Sequence, residues 1–302
     1  MRSIGKTFAK KLCKRRGRNG RSSASRVGGA RYEGERMSKF KLKWPGVARR
    51  PYILMIAATV CAAAWSASAQ DAIEPEAAKI LAAMSDNLKS MPSLSVTYDA
   101  DQEIVDLEGQ KIQYSASGTI ALDRAKGFLL TRQGPFADAE VVFDGSTISL
   151  HSKRVNVYAQ LQSPGPSVEA AAGELRAATG LDAPGADLLA SDPYAVLTDG
   201  VTKGTVVGSA FVGGVECDHL AFRTDIVDWQ IWVSKGSNPL PLKYVITTKW
   251  VTGAPEYSLR LSNWKSAGIG AAQFKFTPPA NAKKLEHVHA DVTGDISLEV
   301  GE

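Results

Sequence analysis

Two long stretches of alternating residues constrain the fold of this chain most strongly. Apolar and polar side chains alternate over residues 94–101 and again over residues 111–122. Because successive side chains of a β-strand point to opposite faces, this period predicts strands with one buried face and one face in water. Glu108 and Gly109 lie between the two stretches and favour a turn. The sequence therefore predicts a long antiparallel hairpin in a half-buried sheet.

The strand pattern continues on both sides of a helical insertion. Apolar residues three and four positions apart predict a helix over residues 75–90, and an Ala/Glu/Leu-rich stretch predicts a second over 168–178. Residues 181–199 contain Pro and Gly among apolar residues, which favours one or two short helices. Further strands are predicted at 127–132, 138–143, 146–151, 154–160, 204–213, 215–224, 227–234, 241–250, 256–264 and 273–277.

This order of elements predicts an α+β fold. A curved antiparallel sheet, a half-barrel, would be closed on its open side by a few helices, because one sheet face is apolar and needs cover. Such an arrangement either packs solid or encloses an apolar cavity. Strand parity selects the candidate cavity residues, which are Val96, Tyr98, Ile112, Tyr114, Ile120, Leu220, Phe222, Tyr257, Leu259 and Leu261.

Residues 37–69 have the three parts of a secretory signal peptide. Five Lys and Arg residues between positions 37 and 50 precede an apolar stretch from Tyr52 to Trp65, and Ala67-Ser68-Ala69 comes before Gln70. These are the features that a signal peptidase reads. We expect cleavage between Ala69 and Gln70 and a periplasmic product. The alternative is an inner-membrane anchor formed by residues 52–69, although its apolar stretch is short against the ~20 residues that span a bilayer.

Net charge divides the chain at the same place. Residues 1–50 hold 17 Lys and Arg and two acids, a net charge of +15, and residues 51–69 hold none. Since the whole chain carries +5, residues 70–302 carry −10. An acidic protein repels phosphate, so the mature chain is not expected to bind nucleic acid.

The predicted organisation has four parts. Residues 1–36 form a basic extension without apolar periodicity and are expected to lie outside the fold, either as a tail or as sequence upstream of a true start at Met37. Residues 37–69 are the signal peptide, residues 70–280 form a single periplasmic domain, and residues 281–302 form a loose polar tail. After cleavage the protein would not be integral to the membrane.

Cys217 and His219 are the residues that most invite a catalytic interpretation. On a strand they share one face, while Asp218 lies on the other with Leu220 and Phe222. A nucleophilic cysteine needs a base and an oxyanion site, which usually come from distant segments of the chain. A hydrolase that uses Cys217 and His219 is therefore the weaker alternative, and we predict no catalytic residues.

Metal and acid–base chemistry have little support. A zinc site needs three or four ligands, and the other histidines are His151, His287 and His289, two of them in the tail. Four acids, Glu216, Asp218, Asp225 and Asp228, lie at predicted strand ends and turns, where carboxylates usually meet water. We expect no metal and no cofactor.

Four tryptophans are present in the predicted sheet or next to it, and they could line a cavity or belong to an ordinary core. They are Trp229, Trp232, Trp250 and Trp264.

The second group of strands carries a specific resemblance. Residues 214–223 read Gly-Val-Glu-Cys-Asp-His-Leu-Ala-Phe-Arg, and residues 228–232 read Asp-Trp-Gln-Ile-Trp. Pro239-Leu240-Pro241-Leu242-Lys243 then leads into residues 245–249, and upstream Phe143-Asp144-Gly145 and Asn156-Val157-Tyr158 fit the same pattern. Over about residues 74–280 the chain resembles domain-of-unknown-function family 2092, which consists of predicted periplasmic bacterial proteins.

The resemblance implies more about fold than about function. That family is similar in fold to the lipoprotein-carrier (LolA-like) proteins, in which a curved antiparallel sheet and helices surround an apolar cavity that accepts lipid chains. Two functions follow as expectations. The protein holds a lipid, an acyl chain or another apolar ligand between sheet and helices. Alternatively, it is an envelope sensor or protein-interaction module that binds an envelope protein and transports no ligand.

Overall fold

The computed structural model describes residues 72–135, 137–179, 185–266, 269–286, 289–290 and 296–297. The predicted basic extension, signal peptide and cleavage site at Ala69 and Gln70 lie outside these residues. The helices are α1 Pro75–Ser90, α2 Val168–Thr179 and α3 Pro193–Thr198, with 3-10 turns η1 Ala186–Leu189 and η2 Ala271–Phe274. Within the described residues, none of the helices has the length and apolar character that a bilayer crossing requires.

Most strands belong to one large sheet. The first six are β1 Ser93–Val105, β2 Lys111–Asp123, β3 Gly127–Gln133, β4 Asp138–Phe143, β5 Thr147–Ser152 and β6 Val157–Gln162. The next five are β7 Lys203–Val212, β8 Val215–Arg223, β9 Val227–Ser234, β10 Pro241–Thr248 and β11 Glu256–Lys265. The short ones are β12 Lys283–Lys284, β13 His289–Ala290 and β14 Ile296–Ser297.

Two meanders meet at the first strand of the domain. The sheet has 12 strands in the order β12-β6-β5-β4-β3-β2-β1-β11-β10-β9-β8-β7, and β13 pairs with β14 separately. Neighbours pair antiparallel except β12 and β6, which are parallel. Tight turns make these connections possible. Gly213 and Gly214 between β7 and β8 both have positive φ, 57° and 83°, which glycine adopts without steric cost.

The helices lie on one face of the sheet, which we call the inner face and which carries Val96 and Leu220. Leu81, Met84 and Leu88 of α1 have no exposed surface, and they pack with the inner residues of β1 and β7–β11. Each fully buried side chain of this size contributes about 1.5–3 kcal/mol relative to exposure. Pro75 stands at the first turn of α1, where a missing N–H costs nothing.

A second cluster lies under α2. Ala171 and Leu175 of this helix pack with Val141, Phe143 and Leu150 on the inner face of β4 and β5. Leu94, Leu122 and Leu189 form a third, smaller cluster. The predicted α+β class, an antiparallel sheet with a few helices on its apolar face, is confirmed.

The prediction of a last strand at residues 273–277 is wrong. η2 covers Ala271–Phe274, and the chain then crosses the opposite, outer face of the sheet. Phe274 is 1% exposed, and the ring of Phe276 lies 5.6 Å from Tyr158 and 6.0 Å from His151. The alternating apolar residues in this segment therefore pack onto the sheet instead of pairing within it.

The segment after residue 281, expected as a loose tail, begins with ordered contacts. Lys283 and Lys284 pair in parallel with Val157 and Tyr158 of β6. The backbone N–H of Leu285 donates to the Tyr158 carbonyl at 2.8 Å, and the Leu285 side chain packs against the cluster under α2. These contacts cover the edge of β6, which would otherwise expose unpaired backbone groups.

Candidate ligand site on the inner face

Seven of the ten candidate cavity residues lie within the main cluster of buried apolar residues. They are at most 6% exposed, and their neighbours come from α1, η1 and α3. The seven are Val96, Tyr98, Leu220, Phe222, Tyr257, Leu259 and Leu261. Strand parity thus places them correctly on the inner face. Whether they also touch a ligand remains a prediction.

The other three candidates, Ile112, Tyr114 and Ile120, lie on β2 and are less buried. Ile120 is half-buried between the main and the third cluster. Ile112 is 37% exposed and Tyr114 is half-buried. The pairing of β2 with β3 ends at Ser117 and Gln133, so Ile112 and Tyr114 lie on a part of the β1–β2 hairpin that runs beyond β3. We call this part the hairpin rim.

Tyr98 crosses β2 at a glycine. Its hydroxyl donates to the Thr131 carbonyl of β3 at 2.7 Å, although β2 lies between the two strands. A Cβ at Gly118 would lie 2.7 Å from the tyrosine ring and 1.9 Å from the same carbonyl oxygen. Gly118 therefore makes room for a tyrosine that joins three strands on the inner face.

Arg132 is a functional candidate that the sequence analysis did not select. It follows Phe128 and Leu130 at two-residue spacing on β3, and these two are paired with inner-face residues of β4, Phe143 and Val141. Parity therefore puts Arg132 on the inner face, opposite Ala139. The sequence contains the pattern that could have identified Arg132, namely a basic residue at two-residue spacing after the apolar Phe128 and Leu130.

The charge of Arg132 acts on two tyrosines of the inner face. Burial raises the pKa of Tyr98, and a hydrogen bond and the positive charge of Arg132 oppose this rise. Burial also raises the pKa of Tyr257, again opposed by the charge of Arg132. Both tyrosines stay neutral at physiological pH. The charge of Arg132 therefore influences two buried hydroxyl groups of the inner face.

Arg124 links the helical insertion to the sheet through hydrogen bonds to backbone carbonyls. Its guanidinium donates to the carbonyls of Leu189 and Ala190 at 3.1 and 3.2 Å, and to those of Leu88 and Met91 at 3.1 and 3.2 Å. One side chain in the β2–β3 turn thus links the end of α1 to the end of η1. Burial lowers the pKa of Arg124, while the charge of Glu169 raises it.

Cys217 and His219 lie near each other but do not form an activated pair. Cys217 has no exposed surface, and its thiol contacts the Val215 carbonyl at 3.4 Å. Burial raises the pKa of this thiol, which disfavours the nucleophilic thiolate. The His219 ring bonds to Gln230 at 2.9 Å and stacks on Trp232 at 4.1 Å.

Trp229 and Trp232 lie on opposite faces of β9. Trp229 is 4% exposed and stacks on Phe222 within the main cluster. Trp232 lies on the outer face, where His219 stacks on its ring and the Lys243 ammonium lies 4.5 Å from the ring centre. Trp232 therefore does not face the candidate cavity.

The acids near these residues are paired with basic side chains. Asp228 accepts from Arg223 at 3.0 and 2.9 Å and from Lys249 at 3.1 Å. Glu216 pairs with Lys235 at 2.9 Å. Within the part of the chain that the structure describes, no three His, Cys, Asp or Glu residues are placed to hold a metal ion. His287 lies outside that part.

Several solved structures are similar to this chain at low identity. An uncharacterised conserved protein from Thermus thermophilus has 13% identity and a TM-score of 0.43, with 70% of this chain and 98% of that chain covered. The lipoprotein LppX of Mycobacterium tuberculosis has 14% identity and a TM-score of 0.39, with 66% and 99% covered. A LolA superfamily protein from Nitrosomonas europaea has 10% identity and a TM-score of 0.34, with 66% and 97% covered.

Sequence comparison gives a clearer result. Among curated proteins, no significant match to this chain is found. Residues 77–288 match the family described as predicted periplasmic protein, DUF2092. This match includes the β8–β10 region that carries the resemblance in the sequence, and it covers most of the domain. The chain therefore belongs to the DUF2092 family of predicted periplasmic proteins.

Proposed function

We propose that this protein is an exported periplasmic binding protein that holds an acyl chain or a similar apolar ligand against the inner face. One observation carries the proposal. The apolar inner face continues past the helices that cover it, to the hairpin rim, where Ile112 is 37% exposed. Ile104 is paired with Ile112 on the neighbouring strand and is only half-buried.

The hairpin rim is the natural place for an apolar ligand to enter. Apolar side chains that lie side by side in water favour contact with another apolar surface, and ligand sites are mostly lined by such residues. Each methylene group of an acyl chain contributes about 0.8 kcal/mol when it leaves water. Binding then needs few polar contacts, which agrees with the apolar character of the candidate residues.

The insertion between β6 and β7 is proposed as the lid. α2, η1 and α3 lie over the inner face, and a glycine with φ of 94°, Gly185, precedes η1. Arg124 links η1 to the sheet, and a bond from the Ser191 N–H to Glu169 joins the end of η1 to α2 within the lid. Because Leu175 and Leu188 of the lid belong to the buried clusters, opening of the lid would separate the apolar contacts of these clusters.

The test is to purify the protein from an envelope extract and record its native mass spectrum. We expect a stoichiometric apolar compound that organic extraction recovers. The purified protein should also take up the neutral fluorescent reporter N-phenyl-1-naphthylamine. A solidly packed protein with no extractable compound and no uptake of the reporter would end the carrier hypothesis.

A matched pair of variants locates the site. Ile112→Asp should weaken uptake of the reporter by about 10- to 100-fold, because it replaces an apolar contact worth about 1.5–3 kcal/mol with a charge. Leu107→Asp is the control, since Leu107 lies in the same hairpin but is fully exposed at its tip. Leu259→Asp is unsuitable, because Leu259 is 5% exposed in the main cluster and its replacement would unfold the domain.

The alternative is a protein-interaction or sensor module of the envelope, and the free end of the sheet favours it. β7 is the last strand of the sheet, and Val207 and Phe211 are 57% and 72% exposed. Within the residues that the structure describes, 73 and 74 cover the first half of this edge, through Gly204 and Val206. An envelope protein could add a strand there. Capture of one partner that Phe211→Ser abolishes, together with absence of an extracted lipid, would favour this function.

We further propose that the protein is not an enzyme and needs no cofactor or metal. The buried thiol of Cys217 and the bonded ring of His219 support this proposal, because neither group is prepared for nucleophilic or base catalysis. If the protein turned over a substrate and Cys217→Ser or His219→Ala abolished that turnover, the proposed binding function would be wrong and the protein would be a hydrolase.

A further inference from the structure

One charged residue interrupts the apolar inner face of the first meander. The inner-face strand positions of β1–β6, all of which the structure describes, are apolar or neutral except at Arg132. An arginine side chain stays protonated at any physiological pH. The inner face of the first meander therefore always carries one positive charge.

Arg132 stands at the rim of the inner face. It is the last inner-face residue of β3 before the turn to β4, and its partner there is Ala139. Across the face, the β2 neighbours are Ala116 and Gly118, so the side chains around Arg132 are small. The hydroxyl of Tyr98 reaches this place over Gly118 and bonds to the Thr131 carbonyl at 2.7 Å.

The positive charge of Arg132 acts on two buried tyrosines of the inner face. It opposes the rise that burial causes in the pKa of Tyr98 and in the pKa of Tyr257, which lies on β11, three strands away in the sheet order. Arg132 brings N–H donors to the border between the apolar face and the hairpin rim, whereas the hydroxyl hydrogen of Tyr98 is donated to the Thr131 carbonyl.

We propose that Arg132, with Tyr98 beside it, binds the anionic headgroup of an amphiphile whose apolar chain lies on the inner face. The inference rests on the proposed function, because the chain is what places the headgroup there. A carboxylate and a phosphate are both recognised by the planar fork of an arginine, through paired N–H···O bonds. The ligand class is thus a single-chain fatty acid or alkyl phosphate, and a neutral chain of equal length binds less tightly.

The experiment compares three ligands with the same sixteen-carbon chain in displacing N-phenyl-1-naphthylamine from the purified protein at neutral pH. Palmitate, hexadecyl phosphate and hexadecanol are used below the concentrations at which they aggregate. We expect at least one anionic ligand to bind about tenfold or more tightly than the alcohol, the gain typical of a hydrogen bond to a charged group. The tighter of the two anions identifies the headgroup.

Substitutions assign the preference to one residue. Arg132→Gln should bring the anions to the affinity of the alcohol and leave the alcohol unchanged, whereas Arg132→Lys keeps part of the preference. Arg260→Gln is the matched control, since Arg260 is an exposed arginine on the outer face of β11. Acetate and inorganic phosphate, which lack the chain, should not displace the reporter.

The outcomes separate this inference from the function on which it rests. If wild-type protein binds all three chains equally, the headgroup site is overturned while the apolar ligand function stands. A preference that persists in Arg132→Gln also overturns it. If no chain binds, both are overturned. The wild-type comparison decides even if Arg132→Gln fails to fold.

Discussion

Gly118 has only a hydrogen atom as its side chain, and this leaves room for Tyr98 to reach from β1 across β2 to β3. A methyl group there would lie 1.9 Å from the Thr131 carbonyl oxygen and 2.7 Å from the Tyr98 ring. We expect Gly118→Ala to lower the free energy of unfolding by more than about 3 kcal/mol, because a backbone carbonyl cannot move aside cheaply. Urea denaturation measures the change.

The control for this prediction is Gly173→Ala. Gly173 lies in α2, where an added Cβ would meet no atom within 4 Å. Alanine in an exposed helix position is favoured over glycine by up to about 1 kcal/mol, so this variant should be slightly more stable than the wild type. Equal effects of the two substitutions would contradict the close approach of Tyr98 to β2.

Cys217 offers a second prediction for a single residue. Since its thiol is fully buried and burial raises its pKa, we expect it to react with a disulfide reagent only when the protein unfolds. Cys217→Ser should lower stability by about 1 kcal/mol and leave ligand binding unchanged. Rapid modification of the folded protein at neutral pH would show instead an accessible, activated thiol.

Sequence parity predicts which face a residue occupies but does not predict how deeply it is buried. Val96 and Ile112 belong to the same inner-face alternation, yet one is 2% and the other 37% exposed. The difference arises because β3 ends before the hairpin does. Arg132 is absent from the candidate cavity residues for a related reason. Arginine is usually exposed, so its residue type predicts the outer face, whereas its register on β3 places it on the inner face.

For the elements, the attachment of the lid depends on Arg124. Its four bonds to backbone carbonyls join the β2–β3 turn to α1 and η1. We expect Arg124→Met to destabilise the protein by about 2–4 kcal/mol, because buried carbonyls lose a charged donor. Amide exchange in residues 185–198 should become faster, which hydrogen–deuterium exchange with mass spectrometry detects.

Lys126→Met is a suitable control for Arg124→Met. Lys126 lies in the same turn, and its ammonium pairs with Asp123 at 2.7 Å while remaining half exposed to water. Exposed pairs contribute about 0–1 kcal/mol. Equal exchange rates of the lid in the wild type and in Arg124→Met would show that the lid is held by its apolar contacts alone.

Local pattern predicts most elements correctly and fails in one segment. The long strands, α1 and α2 follow from period and length, because their buried faces repeat over many residues. The segment around Phe274 and Phe276 has the same alternation, but Phe274 is buried outside any strand and the Phe276 ring packs near His151 on the outer face. A short alternating stretch cannot distinguish pairing within a sheet from packing onto it.

The arrangement of the whole sheet was beyond sequence reasoning. β1 and β11 are neighbours although more than 150 residues separate them, for example at Tyr98 and Leu261. No local pattern encodes such a pairing. The predicted boundary after residue 69 stays a prediction and rests on the change of charge, from +15 in residues 1–50 to −10 in residues 70–302.

That change of charge leads to a prediction for the molecule as a whole, in which cleavage turns a basic precursor into an acidic protein. The full chain has a net charge of +5 and a pI of about 9.0, whereas residues 70–302 carry −10. We expect the periplasmic product to bind an anion exchanger at neutral pH and its first peptide, by mass spectrometry, to begin at Gln70. Ala69→Phe should leave the precursor uncleaved, because a signal peptidase requires small residues at its site. A protein that stays in the membrane fraction with residues 52–69 attached would show that this segment is an anchor.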